Sequence, residues 1–156
     1  MPRRLTLVLA LCAAIGGCRL TTDATAGLEV SLSAGGAQAS ATNPVDLTIT
    51  IVNRRDQDVQ TPDPRSYACF PPYRVSDSAG NPVVLPGRLC AAIGYSEVVL
   101  APGDSLVLSA RWSGDKASAV ENFGAVPVSP GHYSIRARVR VDEHELSSAP
   151  VAVTVP

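Results

Sequence analysis

Aromatic residues are scarce: two Phe, one Trp and four Tyr in 156 residues. Val, Ala, Leu, Ser, Pro and Gly dominate instead, a balance that suits a β protein with many turns. Basic charge is not in excess, with 13 Lys and Arg against 14 Asp and Glu. That argues against a nucleic-acid binder, which is usually basic. No apolar run approaches the ~20 residues needed to span a bilayer as a helix. No long stretch carries the period of an amphipathic helix. Histidine occurs twice, at His132 and His144. At ~3.3 Å per extended residue the two stand too far apart to share a metal. No serine sits in a nucleophile-elbow pattern, and no acidic spacing matches an EF-hand.

What the chain does have begins at its start. Arg3 and Arg4 precede a short apolar run from Leu5 to Ile15, and Gly16, Gly17 and Cys18 follow. A positive start, an apolar centre and small residues before a cut site make a secretory signal peptide. The surroundings of Arg3-Arg4 favour the general secretion route over twin-arginine export. Ile15-Gly16-Gly17-Cys18 resembles the lipobox of bacterial lipoproteins, with Ile15 where that family usually has Leu. The resemblance implies cleavage before Cys18 and a lipid on its sulfur, three acyl chains in all. Each buried methylene adds about 0.8 kcal/mol to such an anchor. Arg19 stands where Asp would signal inner-membrane retention, so an outer membrane, facing the periplasm or the cell surface, is the expected address. Residues 1–17 then form the signal, 18–26 a lipidated tether and 27–156 the domain.

Removing Arg3 and Arg4 leaves 11 basic against 14 acidic residues, a mature net charge of about −3. The 139 remaining residues suit one domain. Cys12 leaves with the signal and Cys18 is the anchor. Cys69 and Cys90 remain, and an exported domain with two cysteines most often pairs them. Such a bridge could stabilise the domain by ~3 kcal/mol. A free thiol pair and a metal site are the alternatives, although two cysteines without a nearby histidine make a poor zinc site.

Alternation of apolar and polar residues marks the strands. It runs through Leu28–Ser33 and most clearly through Val45–Asn53, where Val45, Leu47, Ile49 and Ile51 point one way. It recurs in Ser105–Trp112, with Leu106, Leu108, Ala110 and Trp112 inward, in Gly131–Val141, and in Val151–Val155. Shorter strands are expected at Tyr67–Phe70, Tyr73–Ser76, Pro82–Leu85 and Tyr95–Leu100. Arg54–Pro64 reads as a loop, Ala34–Asn43 as another, Asp142–Glu145 as a turn. Ser113–Pro130 is the longest connection, with room for a helical turn at Lys116–Phe123. Seven to eight short strands separated by turns predict an all-β fold, a single Ig-like antiparallel β-sandwich.

Three features carry a second resemblance. A strand ends in Asn, at Leu47–Asn53. A hairpin follows with Asp77-Ser78-Ala79-Gly80-Asn81 at its tip. Then come Leu100-Ala101-Pro102-Gly103-Asp104-Ser105 with Trp112 beyond it, and Pro130-Gly131-His132-Tyr133. From Leu28 to Val155 the chain resembles the BsuPI domain, the intracellular proteinase inhibitor family. The resemblance implies an Ig-like sandwich and, more weakly, inhibition. Cys69, Cys90 and the export signal depart from that family, and no inhibitory motif maps onto residues here.

The remaining candidates have ordinary readings beside the functional ones. Asp56, Asp58 and Asp63 share a loop that could offer calcium oxygen ligands, but Arg54, Arg55 and Arg65 dilute its charge; a solvated loop is the expectation. Arg136, Arg138 and Arg140 share one strand face. A charged face paired with acids on neighbouring strands is expected there, with a basic stripe for an acidic partner or lipid headgroups as the alternative. Cys69-Phe70-Pro71-Pro72-Tyr73 reads as a protected strand edge or a partner-facing surface. No catalytic constellation is visible and no small-molecule cofactor is implied. The expected function is a non-enzymatic, lipid-anchored Ig-like envelope module that binds a protein partner or serves a structural role. The alternative is a protease inhibitor whose Ser113–Pro130 loop enters a cleft in extended form.

Overall fold

A computed structural model describes residues 27–66, 71–87, 96–119, 124–141 and 144–156. The described chain is an antiparallel β-sandwich. One sheet has the order β1-β2-β7, formed by β1 (Leu28–Ala34), β2 (Val45–Asn53) and β7 (Ser105–Trp112). The facing sheet is built on β10 (Gly131–Val141). One side of β10 pairs with β4 (Tyr73–Asp77), which pairs in turn with β5 (Pro82–Val83). The other side pairs with β11 (His144–Ser147) and β12 (Val151–Val155). A three-stranded sheet facing one centred on a long strand is the immunoglobulin arrangement.

The alternation seen in the sequence is realised residue by residue. Val45, Leu47, Ile49 and Ile51 are all buried, as are Leu106, Leu108 and Trp112. On β10 the buried set is Tyr133, Ile135, Ala137, Val139 and Val141, so its other face carries His132, Ser134, Arg136, Arg138 and Arg140. Two apolar clusters fill the space between the sheets. One gathers Leu28, Val30, Ile51, Leu106, Val139, Val141 and Leu146 at the end where the chain enters. The other surrounds Trp112 and Tyr133 at the opposite end.

Tyr133 makes the tyrosine corner of such sandwiches, its hydroxyl donating to the Ser129 carbonyl four residues upstream at 2.6 Å. Trp112 meets the Tyr133 ring edge-on, with centroids 5.4 Å apart and planes at 65°. That T-shaped geometry puts the positive edge of one ring toward the negative face of the other. The Trp112 indole N–H donates to the Asp115 carbonyl at 3.0 Å.

β11 and β12 are one strand broken by a bulge. Between the pairs Ile135↔Val151 and Arg138↔Ser147, two residues of β10 face three of the partner. Pro150, which has no N–H to give a ladder, falls in this break. Ser148 closes it: fully buried, its hydroxyl accepts from the Ala137 N–H at 2.9 Å and donates to the Ala149 carbonyl at 2.7 Å.

The turn Ala101-Pro102-Gly103-Asp104 forms as its composition requires. Gly103 has φ 84° and the Asp104 N–H reaches the Ala101 carbonyl at 2.9 Å, the signature of a turn with Pro second and Gly third. It docks on Asn53, whose N–H donates to the Asp104 carbonyl and whose carbonyl accepts from the Gly103 N–H, both at 2.9 Å.

Several short elements depart from the sequence reading, and twelve strands form among the described residues where seven to eight were expected. Within the expected loop Arg54–Pro64, β3 (Val59–Pro62) pairs with β6 (Glu97–Leu100) and buries Val59 and Thr61. Within the expected turn Asp142–Glu145, β11 already begins at His144. Ser113–Pro130 is a hairpin of β8 (Asp115–Ala117) and β9 (Ala125–Pro127), so Lys116 and Ala117 lie on a strand and not on a helical turn. In the loop after β1, Gln38 forms a parallel bridge to Thr154 and covers part of the β12 edge. Each of these pieces is too short to show a period; its partner strand, not its own pattern, holds it extended.

Candidate functional site

The hairpin β8–β9 stands at the Trp112 end of the sandwich and is fixed at its base. The Val128 N–H donates to the Gly114 carbonyl at 2.9 Å, and the Ala117 N–H to the Val84 carbonyl at 2.7 Å. Gly114 is required there. Its φ is 74°, and an added Cβ would lie 3.2 Å from Val155 and 3.4 Å from the Ala39 carbonyl oxygen. All three residues of β9 are exposed. Between this hairpin, the β4–β5 turn and the tyrosine corner lies an open groove of about 620 Å³. Val84 and Val126 expose apolar surface on its walls, and Lys116, Asp77 and His132 add polar groups.

The β4–β5 turn is held by Asp77. One carboxylate oxygen accepts from the Ala79 and Asn81 N–H groups at 2.9 and 2.8 Å, and the other from the Asn81 side-chain amide at 3.0 Å. Those bonds, the Asn81 amide first, hold the Asp77 carboxyl below the usual carboxylate range. Asp63 is held low as well, chiefly by hydrogen bonds from the Arg65 guanidinium at 2.7 to 3.0 Å. Its carboxylate also accepts the Arg65 N–H at 2.9 Å, and its carbonyl accepts the Ser66 N–H, so it caps a single 3-10 turn at Pro64–Ser66.

A folded pKa below the unfolded one adds stability above the unfolded pKa and loses it as pH falls through the folded value. Stability should therefore decline below about pH 4, near the ordinary Asp value. Asp77→Asn and Asp63→Asn should each flatten that decline in urea titrations between pH 2 and pH 6. Identical pH slopes for wild type and variants would refute the assignment.

The sequence candidates fall as follows. Cys18, Cys69 and Cys90 lie outside the described residues. His132 and His144 stand at opposite ends of β10, in register with Thr154 and Val141, about 30 Å apart along the strand. His132 Nδ1 lies 3.2 Å from the Thr154 hydroxyl. Asp56 and Asp58 are exposed, while Asp63 faces Arg65. Among the described residues no three of His, Cys, Asp or Glu gather to hold a metal. Tyr73 is a core residue, its hydroxyl donating to the Arg111 carbonyl at 2.8 Å. Pro72 offers its carbonyl to the Arg138 N–H at 2.8 Å, so Pro71-Pro72 leads into an inner strand.

The arginines of β10 meet an acid on a neighbouring strand, as expected, at one end of the row only. Arg138 pairs with Glu145 of β11. Arg136 instead stands directly opposite Arg74 of β4, a residue that only the strand register brings into the group. Among the described residues no carboxylate makes an ion pair with Arg74 or Arg136, and Arg140 stands directly opposite Glu145, which pairs with Arg138. Arg111, by contrast, is on the other sheet and is neutralised by Asp46 at 2.8 Å.

No family model matches the chain, and no curated protein matches it significantly. Solved structures do, at low identity. A β-glucosidase from Erythrobacter marinus is 14% identical with a TM-score of 0.45, over 83% of this chain and 15% of the enzyme. A β-glucosidase involved in saponin metabolism from intestinal bacteria is 12% identical with a TM-score of 0.44, over 90% of this chain and 17% of the enzyme. A structural-genomics target protein is 11% identical with a TM-score of 0.41, over 83% of this chain and 88% of its own. The chain thus spans about one-sixth of the length of the glucosidases it matches.

Proposed function

We propose that this protein is a non-enzymatic, lipid-anchored Ig-like module of the cell envelope that engages a protein partner. The observation that carries the reading is a compact sandwich joined by residues 18–26 to the lipobox-like Cys18, with a half-apolar groove at its far end. Val84 and Val126 give that groove exposed apolar surface and Lys116, Asp77 and His132 give it polar groups, a mixture that suits contact with a protein. Cys18→Ala should move the protein from the membrane fraction to the soluble one, and the wild type should carry a lipid mass on its processed N-terminus. Unchanged membrane retention would sink the anchor.

Protease inhibition of the BsuPI type is the alternative, and one observation favours it. Within Ser113–Pro130 the strands β8 and β9 pair and are fixed at their base, and preordering lowers the cost of entering a cleft. Titrating the mature protein against serine proteases separates the two readings: stoichiometric inhibition promotes the alternative, and an intact protein without inhibition retires it.

A further inference from the structure

We infer that the outer face of the β10 sheet is a docking surface for anionic lipid headgroups. Arg136, Arg138 and Arg140 follow one another on that face of β10, about 7 Å apart, and Arg74 lies directly across from Arg136. Like charges placed directly opposite on neighbouring strands are destabilising. One carboxylate serves this face among the described residues: Glu145 pairs with Arg138 and stands in register with Arg140, while Arg136 reaches only the Ser148 carbonyl at 3.4 Å. The mature chain is acidic overall, so this is a local concentration of positive charge on an otherwise negative protein.

Hydroxyl groups complete the surface. Ser134 lies opposite Ser76, and Ser147 opposite Arg138. Together with Arg74, Arg136, Arg138 and the carboxylate Glu145 that pairs with Arg138, they line a shallow basin of about 230 Å³. A guanidinium fork donates two parallel hydrogen bonds to a phosphate, and hydroxyls can satisfy its remaining oxygens. A row of separate cations on a sheet face fits a surface of repeated single anions better than one small ligand.

The position of the row selects the membrane over an acidic protein. Leu28 and Val30 pack with Val139 and Val141, so the row runs toward the end of the sandwich where the chain enters. Cys18 precedes Gly27 by nine residues, a reach of at most about 30 Å. In choosing which surface lies within that reach, the inference rests on the lipid-anchor reading. Four arginines less the paired Glu145 leave a net charge of about +3 on the face, and each basic group near an anionic membrane is worth roughly fivefold in partitioning.

The test is arginine-specific labelling with phenylglyoxal, read by peptide mass, on the mature protein purified from its membranes. It is reconstituted into vesicles of phosphatidylcholine, alone or with 30% phosphatidylglycerol. Arg74, Arg136 and Arg140 should label at least fivefold more slowly in the anionic vesicles. Arg54 and Arg111, each salt-bridged outside this face, should not change. Salt at 1 M, where screening acts within ~3 Å, should abolish the difference. Equal labelling in both vesicles would overturn the inference. Protection in native membranes but not in anionic vesicles would overturn it too, and would point to an acidic protein. Flotation with the neutral vesicles reports the anchor separately. If the protein does not float, anionic vesicles added to it still score the face.

Discussion

Asn53→Ala should destabilise the domain by roughly 3 kcal/mol, because three hydrogen bonds, one buried and two half-buried, are lost at once. The Asn53 side-chain N–H₂ donates to the Leu100 carbonyl at 2.8 Å and to the Gln57 carbonyl at 2.9 Å. Its oxygen accepts the Arg55 N–H at 2.9 Å. The residue is fully buried, so water cannot take over the bond to Leu100, while the half-buried partners at Gln57 and Arg55 lose less. It thereby ties the end of β2 to the loop before β3 and to the last residue of β6. Urea unfolding should show a lowered midpoint with little change in slope. At about 4 °C per kcal/mol for a chain of this size, the melting temperature should fall by on the order of 10 °C. Asn53→Asp should fare no better, since it keeps the acceptor but points a carboxylate at two carbonyls. A loss under 1 kcal/mol for the alanine variant would show that the network is not what holds these segments.

The position of Asn53 also shows what the sequence could and could not tell. Val45, Leu47, Ile49 and Ile51 mark the inward face of β2, and Asn53 falls on the same parity. A polar residue at an inward position requires buried partners, and that signal was present in the residue order. Its partners were not, because Gln57 and Leu100 reach it only through the fold. The long strands were legible for the same reason: β2, β7 and β10 each repeat the inward–outward step at least four times. β3 has only two inward residues, one of them a threonine, and β11 is only four residues long, so composition reads them as loop and turn. The bulge at Ser148 left no clear trace beyond Pro150.

The candidate surfaces divide in the same way. Arg136, Arg138 and Arg140 could be read from alternation alone. Arg74 could not, since its place opposite Arg136 depends on pairing between strands about sixty residues apart. The groove was still less visible, because its walls come from three separate turns. Ser113–Pro130 reads as the longest connection, and its Ala and Ser content carries no sign of the order it has. The hydrogen bonds that fix it come from Val84 and from Gly114, the latter held in a conformation that only glycine adopts readily.

Trp112→Ala should have the larger effect, about 4 kcal/mol, as expected for emptying a fully buried aromatic site. Three losses combine: the apolar burial, the edge-on contact with Tyr133 and the hydrogen bond to the Asp115 carbonyl. Trp112→Phe separates them, since it keeps a ring against Tyr133 but gives up the indole N–H. Its cost should be near 1–2 kcal/mol, from the lost bond and a smaller ring. Because Asp115 opens β8, the Phe variant should also loosen the hairpin without unfolding the sandwich. Hydrogen exchange would show this as faster exchange at Ala117 and Val128, whose N–H groups fix the hairpin base, with β2 and β10 unchanged. A double-mutant cycle with Tyr133→Leu should give a coupling of roughly 1 kcal/mol. If Trp112→Phe matched the alanine variant, the indole hydrogen bond would outweigh the burial and the ring contact. If it cost nothing and left the hairpin protected, the hairpin would be held by Gly114 and Val84 alone, and Trp112 would serve only to fill the core.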